Sequence, residues 1–68
     1  MKLSLRRAIR QHLGTSSDLL VDAALAAVWL ADDGELDSEV KLPNGSTATA
    51  LELIDRLRLE RFLAAPPG

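Results

Sequence analysis

The chain has 68 residues, a formal net charge of −2 and a pI near 5.1. That length makes one domain, which buries only about 60% of the surface its unfolded chain exposes and gains no more than roughly 3–5 kcal/mol from its core, so a staple or a partner is expected. Cysteine is absent, which removes disulfides and thiolate metal sites, and the acidic pI argues against a generic nucleic-acid binder.

The apolar share is 47% but the aromatic share only 3%, namely Trp29 and Phe62. The apolar weight lies in Ala, Leu and Val, a helix-forming palette apart from Val. The Ala/Leu/Arg/Pro-rich usage points to a GC-rich bacterial or phage genome. The expected organisation is a single small helical domain over 1–65 with a short Pro/Gly tail over 66–68.

A first helix is predicted over 3–13. At about 100° per residue, Leu5, Ala8, Ile9 and Leu13 share one side and Arg6, Arg7 and Arg10 the other. Residues 1–17 contain no acid, which resembles an amphipathic transit segment. Removing it would leave about fifty residues, too few for a domain, so it is read as part of the fold. Gly14 suits the left-handed residue that follows a helix.

Thr15, Ser16, Ser17 and Asp18 offer a cap for a second helix over 18–31. Its sequence, LLVDAALAAVWLA, is apolar nearly all round and must be covered on most sides, with Trp29 as the expected largest contributor to the core. The apolar run over 19–31 is too short to span a bilayer, so the expectation is a cytoplasmic protein with no membrane partner.

The acidic segment over 32–37 is a loop around Gly34. An EF-hand with Gly34 at its sixth position would require Trp29 and Ala31 as side-chain ligands, which excludes that motif; the segment is read as solvated. Glu39-Val40-Lys41-Leu42 alternates as a short strand, Pro43-Asn44-Gly45 is a turn, and 46–48 is the return strand. Thr49-Ala50-Leu51-Glu52 is a capping box opening a third helix over 50–64, with Glu52 and Arg56 as an i,i+4 pair. The fold class is mainly α, α+β at most, in the order helix–helix–β-hairpin–helix.

Chemistry is sparse. His12 is the only histidine and sits on the apolar side of the first helix, between Leu5 and Ile9. It reads as a half-buried residue at a helix end, where a cation also suits the dipole. The hydroxyls of Ser16, Ser17, Ser46, Thr47 and Thr49 lie at caps and turns, where they have structural roles. The four glycines are scattered and form no phosphate loop. The reading is a protein that is not an enzyme, with no catalytic residue, no metal and no cofactor.

What remains is interaction. Arg6, Arg7 and Arg10 are expected to form an exposed cationic face for an acidic protein partner. On a continuous third helix, Leu51, Leu53, Ile54, Leu57 and Phe62 fill one broad arc, leaving Leu59 and Leu63 on the far side. One small core does not cover both arcs, so Leu59 and Leu63 are expected at a homodimer or partner interface. The leading function is a protein–protein interaction module: a docking or adaptor domain, or a small bacterial or phage inhibitor or regulator. The alternatives are a small DNA-binding regulator using the basic face of helix 1 and a phage or structural assembly subunit.

Overall fold

The computed structural model describes residues 2–63, with side chains from Leu5 onward; the Pro/Gly tail expected at 66–68 lies outside the described residues. The order is α1 (Lys2–Leu13), α2 (Asp18–Asp32), an antiparallel hairpin of β1 (Glu39–Lys41) and β2 (Thr47–Thr49), α3 (Ala50–Leu57), and a single 3₁₀ turn at Glu60–Phe62. This is the helix–helix–hairpin–helix expected from the sequence.

Punctuation between elements is local. Gly14 takes φ +62° and its N–H reaches the Arg10 carbonyl at 3.0 Å, closing α1. The chain direction then turns by 118° into α2, whose N-cap is Ser17, with Oγ accepting from Leu20 N–H at 3.2 Å. At the other end Gly34 is left-handed at φ +78°. Its N–H bonds the Ala31 carbonyl and Glu35 N–H bonds the Leu30 carbonyl at 2.8 Å, a Schellman closure that satisfies the last carbonyls of α2.

The hairpin turns at Pro43-Asn44-Gly45 with Gly45 at φ +91°. Asn44 Oδ1 accepts from Ser46 N–H at 3.0 Å. The return strand starts one residue later than predicted, because Thr49 both ends β2 and caps α3. Val40 faces Ala48 in the register, and both are buried. The N-terminal amides of α3 find acceptors outside the helix: Ala50 N–H bonds the Ser38 carbonyl, Leu51 N–H the Leu36 carbonyl, and Glu52 N–H bonds Thr49 Oγ1. Glu52 reaches back to Thr49 N–H at 2.9 Å, completing the capping box.

The third helix differs from expectation. It stops at Leu57, and Arg58 enters the left-handed region at φ 58°, ψ 51°. Leu59 N–H bonds the Ile54 carbonyl at 2.9 Å, again a Schellman closure, here without glycine. The cause is the position of Leu59. On a continuous helix it lies opposite Ala50, Leu53, Ile54 and Leu57; breaking the helix at Arg58 turns it inward. Leu59 is fully buried in one cluster with Ile9, Val21, Val28, Leu53 and Ile54. The expectation of an interface Leu59 is thereby corrected: it is core. Leu63 is half-buried and packs against the same cluster, as does Phe62. His12 Nε2 meets the Leu57 carbonyl at 2.9 Å, in the tautomer where Nε2 donates, and its ring stands edge-on to Phe62. The ends of α1 and α3 are tied together by these contacts.

Two outcomes follow for stability. Leu59→Ala should cost about 2–5 kcal/mol, a large share of what the core of so small a domain supplies, whereas Arg58→Gly should gain about 0.5–1 kcal/mol by relieving the left-handed strain. Urea denaturation of both variants checks the pair; a neutral Leu59→Ala would return that residue to the surface.

A further outcome concerns pH. Hydrogen bonds from the Thr49 N–H, then from its hydroxyl, hold the Glu52 carboxyl below its ordinary value. A depressed carboxyl contributes stability above its unfolded-state pKa and loses it as pH falls through the folded-state value. Glu52→Gln, which does not titrate, should therefore be less stable than the wild type near neutrality, with the gap closing in acid below the normal glutamate range. Thermal melts of both proteins across that range test the sign.

Candidate docking face on α2

α2 is the spine of the molecule. Val21, Ala23, Ala24, Ala27 and Val28 are buried beneath α1, α3 and the hairpin. Three of the five are alanines, so neighbouring backbones approach closely. The molecule is only 17 Å through at its thinnest, about two layers at the 8–10 Å spacing of packed helices. The outer side of α2 is exposed at Asp18, Leu19, Asp22 and Trp29.

That outer side has two halves. Toward the N-terminus it carries Asp18 and Asp22. Arg10 bonds Asp18 and Arg6 bonds Asp22, with a second, longer approach of Arg6 to Asp18 at 3.9 Å. The hydrogen bond to Asp22, reinforced by the two carboxylate charges, raises the Arg6 pKa above its ordinary value. Toward the C-terminus the face is apolar: Ala26 is half-buried and Trp29 is 56% exposed. Leu19, at the other end of the same strip, is 64% exposed. Leu19, Ala26 and Trp29 stand at i, i+7 and i+10, a line of about 15 Å along the helix. Beside the N-terminal part runs a groove of about 400 Å³, floored by Ala23, Ala26 and Val40, walled by Leu42 and Pro43, and rimmed by Asp22 and Lys41.

The sequence-predicted residues fall differently from expectation. Arg6 and Arg10 do not form an open cationic face; each is paired with a carboxylate of α2, because the turn after Leu13 folds the polar side of α1 onto Asp18 and Asp22. Arg7 is exposed. Leu59 is removed from the surface altogether and Leu63 partly so. Trp29, expected in the core, is outside. The signal for this was present in the sequence. On the helical wheel Trp29 lies between Asp18 and Asp22, so the side that keeps both carboxylates in water carries the indole with it.

Other chemistry is committed elsewhere. Oγ of Ser17 and Oγ1 of Thr49 cap helices, Ser46 Oγ bonds Asn44 and Ser38 Oγ bonds Glu35. Among the described residues no three His, Asp or Glu side chains gather as a metal site, no buried side-chain polar atom lacks a partner, and no single helix is long and apolar enough to cross a membrane. No known family, curated protein or solved structure matches the chain.

Trp29 is the only tryptophan, which makes the face directly observable. In dilute solution, where any association is reversed, its emission should be red-shifted and readily quenched by acrylamide. A blue-shifted, protected indole under those conditions would contradict the exposed position.

Proposed function

We propose that this chain is a non-enzymatic protein-interaction module whose working surface is the outer side of α2. The observation that carries the reading is the exposure of Leu19 and Trp29 on one line of a helix whose own core is already filled. Large apolar side chains held in water by a small domain mark a surface that another molecule covers. Tryptophan is also the residue most concentrated at the energetic centres of protein interfaces. The pairing of Arg6 and Arg10 with carboxylates supports a protein partner over a phosphate backbone, since phosphate contacts need free cations. α2, which would be the reading helix of a helix-turn-helix, presents Leu19, Ala26 and Trp29 where base-reading needs polar reach. The hydroxyls held in caps and turns, and His12 held against the Leu57 carbonyl, support a role without catalysis.

The partner's chemistry follows from the ends of the strip. The Trp29 end is continuous with Asp32, Asp33, Glu35, Asp37 and Glu39, five carboxylates within eight residues. The complementary surface is an apolar helix with cationic residues at the end that meets Trp29.

A photo-crosslinking residue at Ala26 of the full chain, used in its native cells, tests this. Capture of a protein segment of that chemistry is expected, lost in Leu19→Glu/Trp29→Glu and retained when the same probe is moved to Ala26 of a folded Gln11→Ala control. Unchanged capture by the Leu19/Trp29 variant, or capture of nucleic acid, would overturn the reading.

A further inference from the structure

We propose that a second copy of this chain covers the face, as a two-fold antiparallel pair of α2 helices. The proposal rests on the reading of that face as a docking surface and adds the occupant. Two observations carry it.

The first is the self-complementarity of the strip. A two-fold interface pairs residue i with j and j with i. Placing Leu19 of one copy over Trp29 of the other, with α2 antiparallel, also places Asp22 opposite Ala26. Each large apolar side chain meets a large one. The carboxylate that falls inside meets the small alanine and is already bonded to Arg6 of its own chain, so no unpaired charge is brought into the contact.

The second is the polarity of charge along α2. His12, at the end of α1, touches the Leu57 carbonyl at the end of α3, so both C-termini lie beside the start of α2. This end gathers Arg56, Arg58 and Arg61, which outnumber Asp55 and Glu60, while Arg10 and Asp18 neutralise one another there. The opposite end gathers the carboxylates of the 32–39 segment, next to the start of α3 through the Leu51–Leu36 hydrogen bond. In an antiparallel pair the acidic end of each copy lies over the arginine-bearing end of the other, twice. A parallel pair sets like charge on like. The chain itself therefore supplies an apolar helix, α2, whose N-terminal end is flanked by arginines at the C-terminal ends of its neighbours α1 and α3. One helix face offers less than the about 800 Å² per partner of a standard stable interface, so Leu42 and Pro43 at the groove wall join the contact and the pair is dissociable rather than permanent.

Sedimentation equilibrium of the full chain over a wide concentration range provides the test. The mass should rise from monomer to dimer, and Leu19→Glu/Trp29→Glu should remain a monomer while keeping the wild-type circular dichroism. Reversing the acidic end, Asp33→Lys/Asp37→Lys, should weaken dimerisation at least tenfold, as should Arg58→Glu/Arg61→Glu. Mixing these two charge variants should restore a dimer, because each then presents what the other lost. A wild type that stays monomeric at the highest concentration overturns the second copy as occupant, and leaves the docking reading standing if the crosslink at Ala26 still depends on Leu19 and Trp29. Dimerisation of the Leu19/Trp29 variant at wild-type strength overturns both. A wild-type dimer with no restoration on mixing overturns the antiparallel arrangement.

Discussion

The need to cover α2 governs the arrangement of every other element. A helix with Val21, Ala23, Ala24, Ala27 and Val28 on its inner side has no stable existence in water alone, since helices of this length owe their stability to packing. Yet its buried residues are small. The core has few bulky fillers: Ile9 and Leu59 head the fully buried side chains. A core of alanine and valine gains by close approach of backbones rather than by large side chains, and it places a premium on each leucine that reaches it. That is the physical reason α3 ends early. A left-handed Arg58 costs on the order of 1–2 kcal/mol; burying a leucine is worth about 1.5–3 kcal/mol. The balance favours the break, and the hydrogen bond from His12 to the Leu57 carbonyl ties the end of α3 to α1.

Most of the architecture was legible from residues that act on their immediate neighbours. Gly14, Pro43-Asn44-Gly45 and Thr49-Glu52 each prescribe a backbone conformation or a hydrogen bond within a few positions, and each appears as expected. The end of α3 was not legible in that way. RLRLERFLAA carries no glycine or proline at the break, and every residue in it is at ease in a helix. The interruption comes from contacts of Leu59 with α1 and α2, which are distant in the chain. Periodicity on a helix that does not continue assigned Leu59 to the wrong side.

The error at Trp29 has another origin. Treating α2 as apolar all round gives no preferred outside, and the largest side chain is then assigned to the core by size. The two aspartates decide otherwise. Their carboxylates require water or arginine, and α1 delivers Arg6 and Arg10 to them across the Gly14 turn. Once that edge is fixed, Trp29, three turns from Asp18 on the same side, is fixed with it. The basic face of α1 and the exposed indole of α2 are thus two results of one set of ion pairs. Each such pair is weak on a surface, yet together they orient a helix whose apolar residues would otherwise be nearly indifferent to rotation.

The distribution of charge is only partly a consequence of folding. Asp18 at the start of α2 and Glu52 at the start of α3 suit the positive ends of their helices, and Arg10 and Arg56 suit the negative ends of α1 and α3. Asp33 does not fit this pattern. It is exposed at the C-terminal cap of α2, where the helix dipole disfavours a carboxylate, and it stands on the same side as Trp29. Nothing in the fold requires a negative charge there, and a lysine would suit the helix better. A carboxylate that opposes its own helix thus stands beside an exposed indole, and under the proposed docking a cation arriving there would relieve the unfavourable dipole and dry the indole in one contact.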